Sequence, residues 1–335
     1  MSYLGNSNLH YIVIGNEQEW CTYSWSAVKS CNNVTFYDSI FKAIDNSLLR
    51  NICRKHFSLN WKRKGVHKHK RVSLPFRCIW YKLLFQSLGL NPNKNYRIIF
   101  YDWGAIAKDL GFIKYIKKHH PNVKMAYLFS NIVRISGAVQ YGTLDKLSKT
   151  FDQVFAFDKV DAQNYQFEFS PLIYTRHPKY SESGHEFDVF YIGNAKDRLD
   201  SLHEIYKQCV DVGLRCNFYI NGVSRDKQVY GEIHYNTPLS YREVLGLISK
   251  SKCMVDAIQG GSTAMTIKVC EAVIYDKKLI TTNTEVVKEP YYTPERFLIY
   301  CPNCNIKDFV TGGMSVFSND EKAFFSPEKL FEKIK

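Results

Sequence analysis

The run from Met254 to Asn283, MVDAIQGGSTAMTIKVCEAVIYDKKLITTN, reads as an apolar strand, a glycine turn, an apolar helix and a second apolar strand. Two strands joined through a helix pair in parallel, so the unit commits its surroundings to a sheet covered by helices. The turn Gly260-Gly261 is followed by Ser262 and Thr263, residue types that cap helices. The first backbone N–H groups of the helix are then expected to point at the turn, where they could hold an anion such as phosphate. Within the helix, Glu271 stands among Val269, Cys270, Ala272, Val273 and Ile274. A carboxylate left unpaired there would cost on the order of several kcal/mol, so it requires hydrogen-bond donors, and sugar hydroxyls would serve.

The same alternation recurs along the chain, whose 335 residues exceed a single core. In the first half, the pattern predicts strands at Leu9 to Gly15, Tyr96 to Tyr101, Lys124 to Phe129 and Gln153 to Phe157. Helices are predicted around Tyr37 to Phe57, Phe76 to Leu88 and Ala105 to His119. The polar stretch Arg176 to Glu186, with Pro178 and Gly184, reads as a linker. Beyond it come strand Phe187 to Gly193, helix Leu199 to Val212, strands Arg215 to Asn221 and Glu232 to Tyr235, a helix Tyr241 to Lys250 opened by Ser240, a strand at Cys253, the helix of Glu271, and strand Leu279 to Thr282. The expected fold class is α/β, with two Rossmann-like doubly wound domains facing a cleft. Their expected bounds are 1–175 and 187–320, with a C-terminal piece, 321–335, whose helix folds back on the first domain.

Charge is unevenly placed. Residues 1–170 hold 24 Lys/Arg against 11 Asp/Glu, and the remainder 21 against 21. No acidic residue lies between Asp45 and Asp102, where Lys62, Arg63, Lys64, Lys68, Lys70 and Arg71 interleave with Trp61, Phe76, Trp80 and Tyr81. Cations with aromatics suit an anionic membrane surface. The same mix would suit a nucleic-acid backbone. The ten cysteines are scattered, as in a reduced cytosolic protein. Cys301-Pro-Asn-Cys304 is the one close pair, and it lacks the second pair a structural zinc site needs. With no run of 18 apolar residues and no signal-peptide order at the start, the sequence predicts a cytoplasmic protein, peripheral at the inner face of the plasma membrane.

Four segments carry a likeness: Phe151 to Tyr165 (FDQVFAFDKVDAQNY), Phe187 to Arg198 (FDVFYIGNAKDR), Asn236 to Val244 (NTPLSYREV) and Gln259 to Asn283. Together they resemble the bacterial GT-B glycosyltransferases of lipopolysaccharide and capsular polysaccharide biosynthesis, over about residues 95–300. The resemblance implies a nucleotide-sugar donor, UDP-linked or another nucleoside diphosphate, in the second domain. It puts the ribose on Glu271 and the diphosphate near Gln259, Gly260, Gly261, Ser262 and Thr263. Lys268, three residues before Glu271, either neutralises the diphosphate or forms an i,i+3 ion pair with Glu271. Gly193, Asn194, Lys196 and Arg198 form a second phosphate candidate, because glycine admits a ligand to the backbone and two cations follow. Asn236 to Pro238 could present backbone groups to a nucleobase.

No Asp-x-Asp occurs, which favours catalysis without a metal or other cofactor, helix dipoles and cations stabilising the leaving diphosphate. Asp102, ending the strongest strand of the first half, is the candidate general base; the alternative is a cap for the helix near Ala105. His119 and His120 complement a helix dipole and read as structural. The acceptor implied is a lipid-linked saccharide. A nucleotide-sugar 2-epimerase would share the architecture but needs no membrane contact. A nucleic-acid-binding protein would leave Glu271 and the glycine turn without purpose, so no nucleic-acid partner is expected.

Overall fold

The structure, a computed structural model, describes residues 8–29, 31–57, 76–102, 109–135, 144–180, 184–260 and 262–334. It divides into two compact units. The first comprises 1–157, 161–170 and 330–335, and the second 158–160 and 171–329.

The first unit is built on six strands, β1 (Leu9–Ile14), β2 (Val34–Tyr37), β3 (Asn95–Tyr101), β4 (Val123–Leu128), β5 (Gln153–Ala156) and β6 (Glu168–Phe169). They form one all-parallel sheet in the order β2-β1-β3-β4-β5-β6. Strands buried on both faces read as unbroken apolar runs, which is why β1, β3 and β4 stand out in the sequence. The helix expected over Tyr37 to Phe57 is replaced by three elements. Val34–Tyr37 pairs with the open edge of β1, Ile40–Ala43 forms a 3₁₀ turn, and the helix runs Ser47–Phe57. The β-branched and aromatic residues of Val34-Thr-Phe-Tyr37 favour pairing, and Asn46 Oδ1 caps the helix by accepting from the Leu49 N–H at 3.0 Å.

Trp25 is fully buried at the heart of this unit and donates its indole N–H to the Tyr101 hydroxyl at 2.9 Å. Leu330 onward, in the helix Pro327–Lys333, belongs to the same unit. There Phe331 stacks on Tyr11 with ring centroids 4.0 Å apart and tilts against Trp25, while the Lys333 ammonium donates to the Phe169 carbonyl at 2.8 Å.

In the second unit the strands are β7 (Phe187–Asn194), β8 (Cys216–Asn221), β9 (His234–Tyr235), β10 (Ser251–Asp256), β11 (Lys278–Thr281) and β12 (Phe297–Ile299). Their order, β9-β8-β7-β10-β11-β12, is again all parallel and follows the 3-2-1-4-5-6 pattern of a doubly wound sheet. The winding reverses between β7 and β10, and the crevice outside the carboxyl ends of those two strands is where such sheets take ligands. The fold is therefore α/β with two Rossmann-like units.

Candidate functional site

The switch point of the second unit is framed by Gly193 and Asn194 at the end of β7 and by Asp256 at the end of β10. The loop after Asp256 is tied down from several directions. The Gly260 N–H donates to Asp197 Oδ2 at 2.9 Å, Lys196 Nζ to Gln259 Oε1 at 3.2 Å, and the Ser262 N–H to the Gln259 carbonyl at 3.0 Å. Thr263 Oγ1 donates to Asp158 Oδ2 at 2.7 Å, and Asn283 Nδ2 to the Ala264 carbonyl at 3.2 Å. Gly261 lies outside the described residues.

The helix that follows spans Ile267–Ile274, and its cap is Thr266 instead of Ser262 or Thr263. Thr266 Oγ1 accepts from the Lys268 N–H at 3.1 Å and donates to the buried Asp256 Oδ1 at 2.9 Å. The cap falls there because only Thr266 can serve the helix and the strand-end carboxylate with one hydroxyl. Burial pushes the Asp256 carboxyl above its ordinary range, with Lys268 and this threonine opposing the push. Thr266→Ala should lower unfolding stability by about 1 kcal/mol, and Thr266→Ser should restore it, read by denaturant melts.

Glu271 is 3% exposed on this helix. Its Oε1 accepts from the Tyr241 hydroxyl at 2.6 Å. Tyr241 has one proton and spends it on the carboxylate, so its oxygen accepts from the Tyr174 hydroxyl 2.7 Å away. The other Glu271 oxygen makes no hydrogen bond among the described residues. Desolvation raises the carboxyl pKa to about 7, against the opposing effects of the Tyr241 hydrogen bond and the Lys268 charge.

Lys268 makes no ion pair among the described residues, so the i,i+3 pair with Glu271 does not form. Its ammonium sits 5.3 Å from the centroid of the Tyr191 ring. Burial lowers its pKa, with Asp256 and Glu271 pulling the other way. Nearby, a Cβ on Gly193 would stand 2.7 Å from the Tyr191 hydroxyl and 3.6 Å from Lys268 Nζ, so this position admits only glycine without displacement. The Tyr191 hydroxyl is buried and has no hydrogen-bond partner among the described residues. Desolvation raises its pKa to about 12 although Arg198 is close. Arg198 itself bonds the Ala257 carbonyl and, at 3.1 Å, the Asn194 carbonyl. Its guanidinium braces the turn between β7 and the loop, which leaves Lys268 as the better-placed cation for an anion.

Asp102 ends β3 at the corresponding switch point of the first unit, beside β1. Its Oδ1 accepts from the backbone N–H of Ser130 at 2.9 Å and from the Ser130 hydroxyl, which Asn16 Nδ2 approaches at 3.4 Å. The described part of the helix predicted from Ala105 runs Leu110–His119, and its cap is Asp109, accepting from the Phe112 N–H; residues 103–108, where Asp102 would act as a cap, lie outside the described residues. Lys62, Arg63, Lys64, Lys68, Lys70 and Arg71 lie outside the described residues. Cys301 and Cys304 are free thiols, and among the described residues no group of three or more His, Cys, Asp or Glu is placed to hold a metal ion. The Asn236 side chain holds the turn after β8, its Oδ1 accepting from the N–H groups of Gly222 and Val223.

Asp256, Tyr241, Tyr174 and Tyr191 join this site without having been singled out in the sequence. Asp256 was within reach, since it ends a strand before a turn just as Asp102 does. The tyrosines carry no such signal, because their role depends on packing between segments far apart in the chain.

The chain matches no protein-family model and no curated protein. Among solved structures it is similar to a glycosylation-associated protein complex from Streptococcus agalactiae, with 11% identity, 81% of this chain and 60% of that one covered, and a TM-score of 0.51. It is also similar to accessory secretory protein 1, 2 and 3 of Streptococcus pneumoniae, with 9% identity, 76% and 55% coverage, and a TM-score of 0.47. A trehalose-6-phosphate structure from E. coli bound with UDP-2-fluoro glucose gives 9% identity, 97% and 96% coverage, and a TM-score of 0.49. The chain thus spans little more than half the length of the two streptococcal chains. At such identities the first likeness establishes the fold alone. No helix among the described residues is long and apolar enough to cross a membrane.

Proposed function

We propose that this chain is a metal-independent glycosyltransferase that takes a sugar from a nucleoside diphosphate and passes it to a lipid-linked saccharide in surface-polysaccharide biosynthesis. The observation that carries the reading is the presence of Glu271 and Lys268, unpaired with each other, on one helix at the switch point. The first is a buried carboxylate with an oxygen left to accept among the described residues, and the second an ammonium that makes no ion pair among them and feels Asp256 and Glu271 only at longer range. A ribose offers vicinal hydroxyls to the one, and a diphosphate offers charge to the other. Gly193 supports the reading by leaving room for a close approach between them.

In this scheme Glu271 fixes the nucleoside and Tyr241 holds the carboxylate in place. Lys268 offsets the negative charge that builds on the departing diphosphate, the step most in need of electrostatic help without a divalent ion. Asp102, held by Ser130, would take the proton of the acceptor hydroxyl. The basic segment from Lys62 to Arg71 would meet the anionic membrane that carries the acceptor.

Thermal-shift titration with nucleoside diphosphates in the presence of a chelator tests the donor site. At a ligand concentration about 100 times Kd, stabilisation of about 2.7 kcal/mol is expected. Glu271→Ala should erase it. If no nucleoside diphosphate stabilises the wild-type chain, or if the alanine variant responds equally, the assignment fails.

A further inference from the structure

Large apolar side chains are exposed on two helices drawn from the stretch of sequence, 46–101, that contains no acidic residue. The helix Ser47–Phe57 exposes Leu48 at 67% and also Leu49 and Ile52. The helix Arg77–Ser87 exposes Ile79 at 59%, and its cap, Phe76, at 70%. Leu48, Ile52 and His56 fall on one stripe at i, i+4 and i+8, Phe76 and Trp80 on another at i and i+4, and the His56 and Trp80 rings meet at 4.6 Å. Phe76 holds φ at +64°, a left-handed backbone unfavourable for a bulky residue, and its ring is nonetheless turned to solvent.

Within the two helices themselves the charge has one sign, with Arg50, Arg54, Lys55, Arg77 and Lys82 and no carboxylate. From residue 46 to 101 there are thirteen cations and no carboxylate. Among the described residues, Glu17 reaches Arg54 and Asp109 reaches Arg77, and the exposed Asp45 stands just before the first helix. Lys55 and Lys82 remain exposed beside the apolar residues.

We infer that the face built from Leu48, Leu49, Ile52, Phe76 and Ile79 docks into the headgroup layer of an anionic lipid bilayer, the aliphatic and aromatic tips entering the acyl boundary while Lys55 and Lys82 meet lipid phosphates. The inference rests on the membrane-borne acceptor proposed above and extends it to specific residues and a mode of contact. Exposed leucine and isoleucine gain nothing from a nucleic-acid backbone, which cations alone would engage. They gain from acyl chains, as the apolar face of an in-plane helix does, while the excess of cations on the helices lets the surface approach anionic headgroups.

Sedimentation of the full chain with vesicles of about 30 mol% phosphatidylglycerol in phosphatidylcholine provides the test. Binding to these vesicles is expected to exceed binding to pure phosphatidylcholine and to persist in part at about 0.5 M salt, where purely electrostatic attachment is screened. Leu48→Ser with Ile52→Ser, and separately Phe76→Ser with Ile79→Ser, should weaken vesicle binding about tenfold at both salt concentrations. Lys82→Glu should weaken it chiefly at low salt. Wild-type vesicle binding by both double variants would overturn the inference. So would binding abolished entirely by salt, or retention on nucleic acid without any on vesicles. All variants should keep the wild-type response to nucleoside diphosphates, which shows that they are folded. Loss of that response in the wild-type chain with vesicle binding intact would instead remove the transferase reading and leave this face standing.

Discussion

Glu271→Gln is expected to make the protein more stable at pH 8 and to leave its stability at pH 4.5 nearly unchanged. The carboxyl is desolvated, and its folded-state pKa is raised from 4.5 to about 7. Between those values the native state holds a proton that the unfolded chain releases, so stability falls as pH rises through the window and then levels off above it. Two and a half pH units correspond to roughly 3 kcal/mol at most. Glutamine keeps an acceptor for Tyr241 and removes the charge, so this slope should vanish from urea melts taken across the window. A slope identical to the wild type would mean that Glu271 is solvated enough to ionise freely. The same titration bears on ligand binding, because a carboxylate that must accept from ribose hydroxyls works best ionised: nucleotide affinity should fall as pH drops below about 7.

Phe331→Ala should have an effect of similar size in the other unit. The ring is buried, stacks on Tyr11 and leans on Trp25, so its removal leaves a cavity over β1. Losses of about 3–5 kcal/mol accompany such truncations. Hydrogen exchange should show faster opening of β1 and β3, with the amides of β7 and β10 little changed. If protection of β1 is unaltered, the C-terminal helix contributes no cover to that sheet.

The strands that were readable in the sequence are those sealed on both faces. β3, β7, β10 and β11 are short apolar runs ended by polar or glycine residues, and their parallel pairing follows from the intervening helices. Of the edge strands only β9 was read: β6 and β12 have two and three residues, too few for any period to show, and β2 went unread, its last residue, Tyr37, being taken as the start of a helix. The site divides in the same way. Glu271 was conspicuous because a carboxylate among valines and alanines is chemically out of place. Its donor Tyr241 stands 30 positions away and becomes its neighbour only when the helix Tyr241–Ser249 packs beside the helix Ile267–Ile274. The choice of Thr266 over Ser262 as cap likewise depends on Asp256, which only the folded strand brings within reach.

The loop between β10 and the helix of Glu271 is fastened on both sides of residue 261 by Asp197, Asp158 and Asn283, none of which belongs to it. These bonds settle the entropy of the loop during folding, before any ligand arrives. A molecule entering the switch point of this unit has little backbone left to organise there, so its encounter rate should reflect diffusion and charge more than a closing motion.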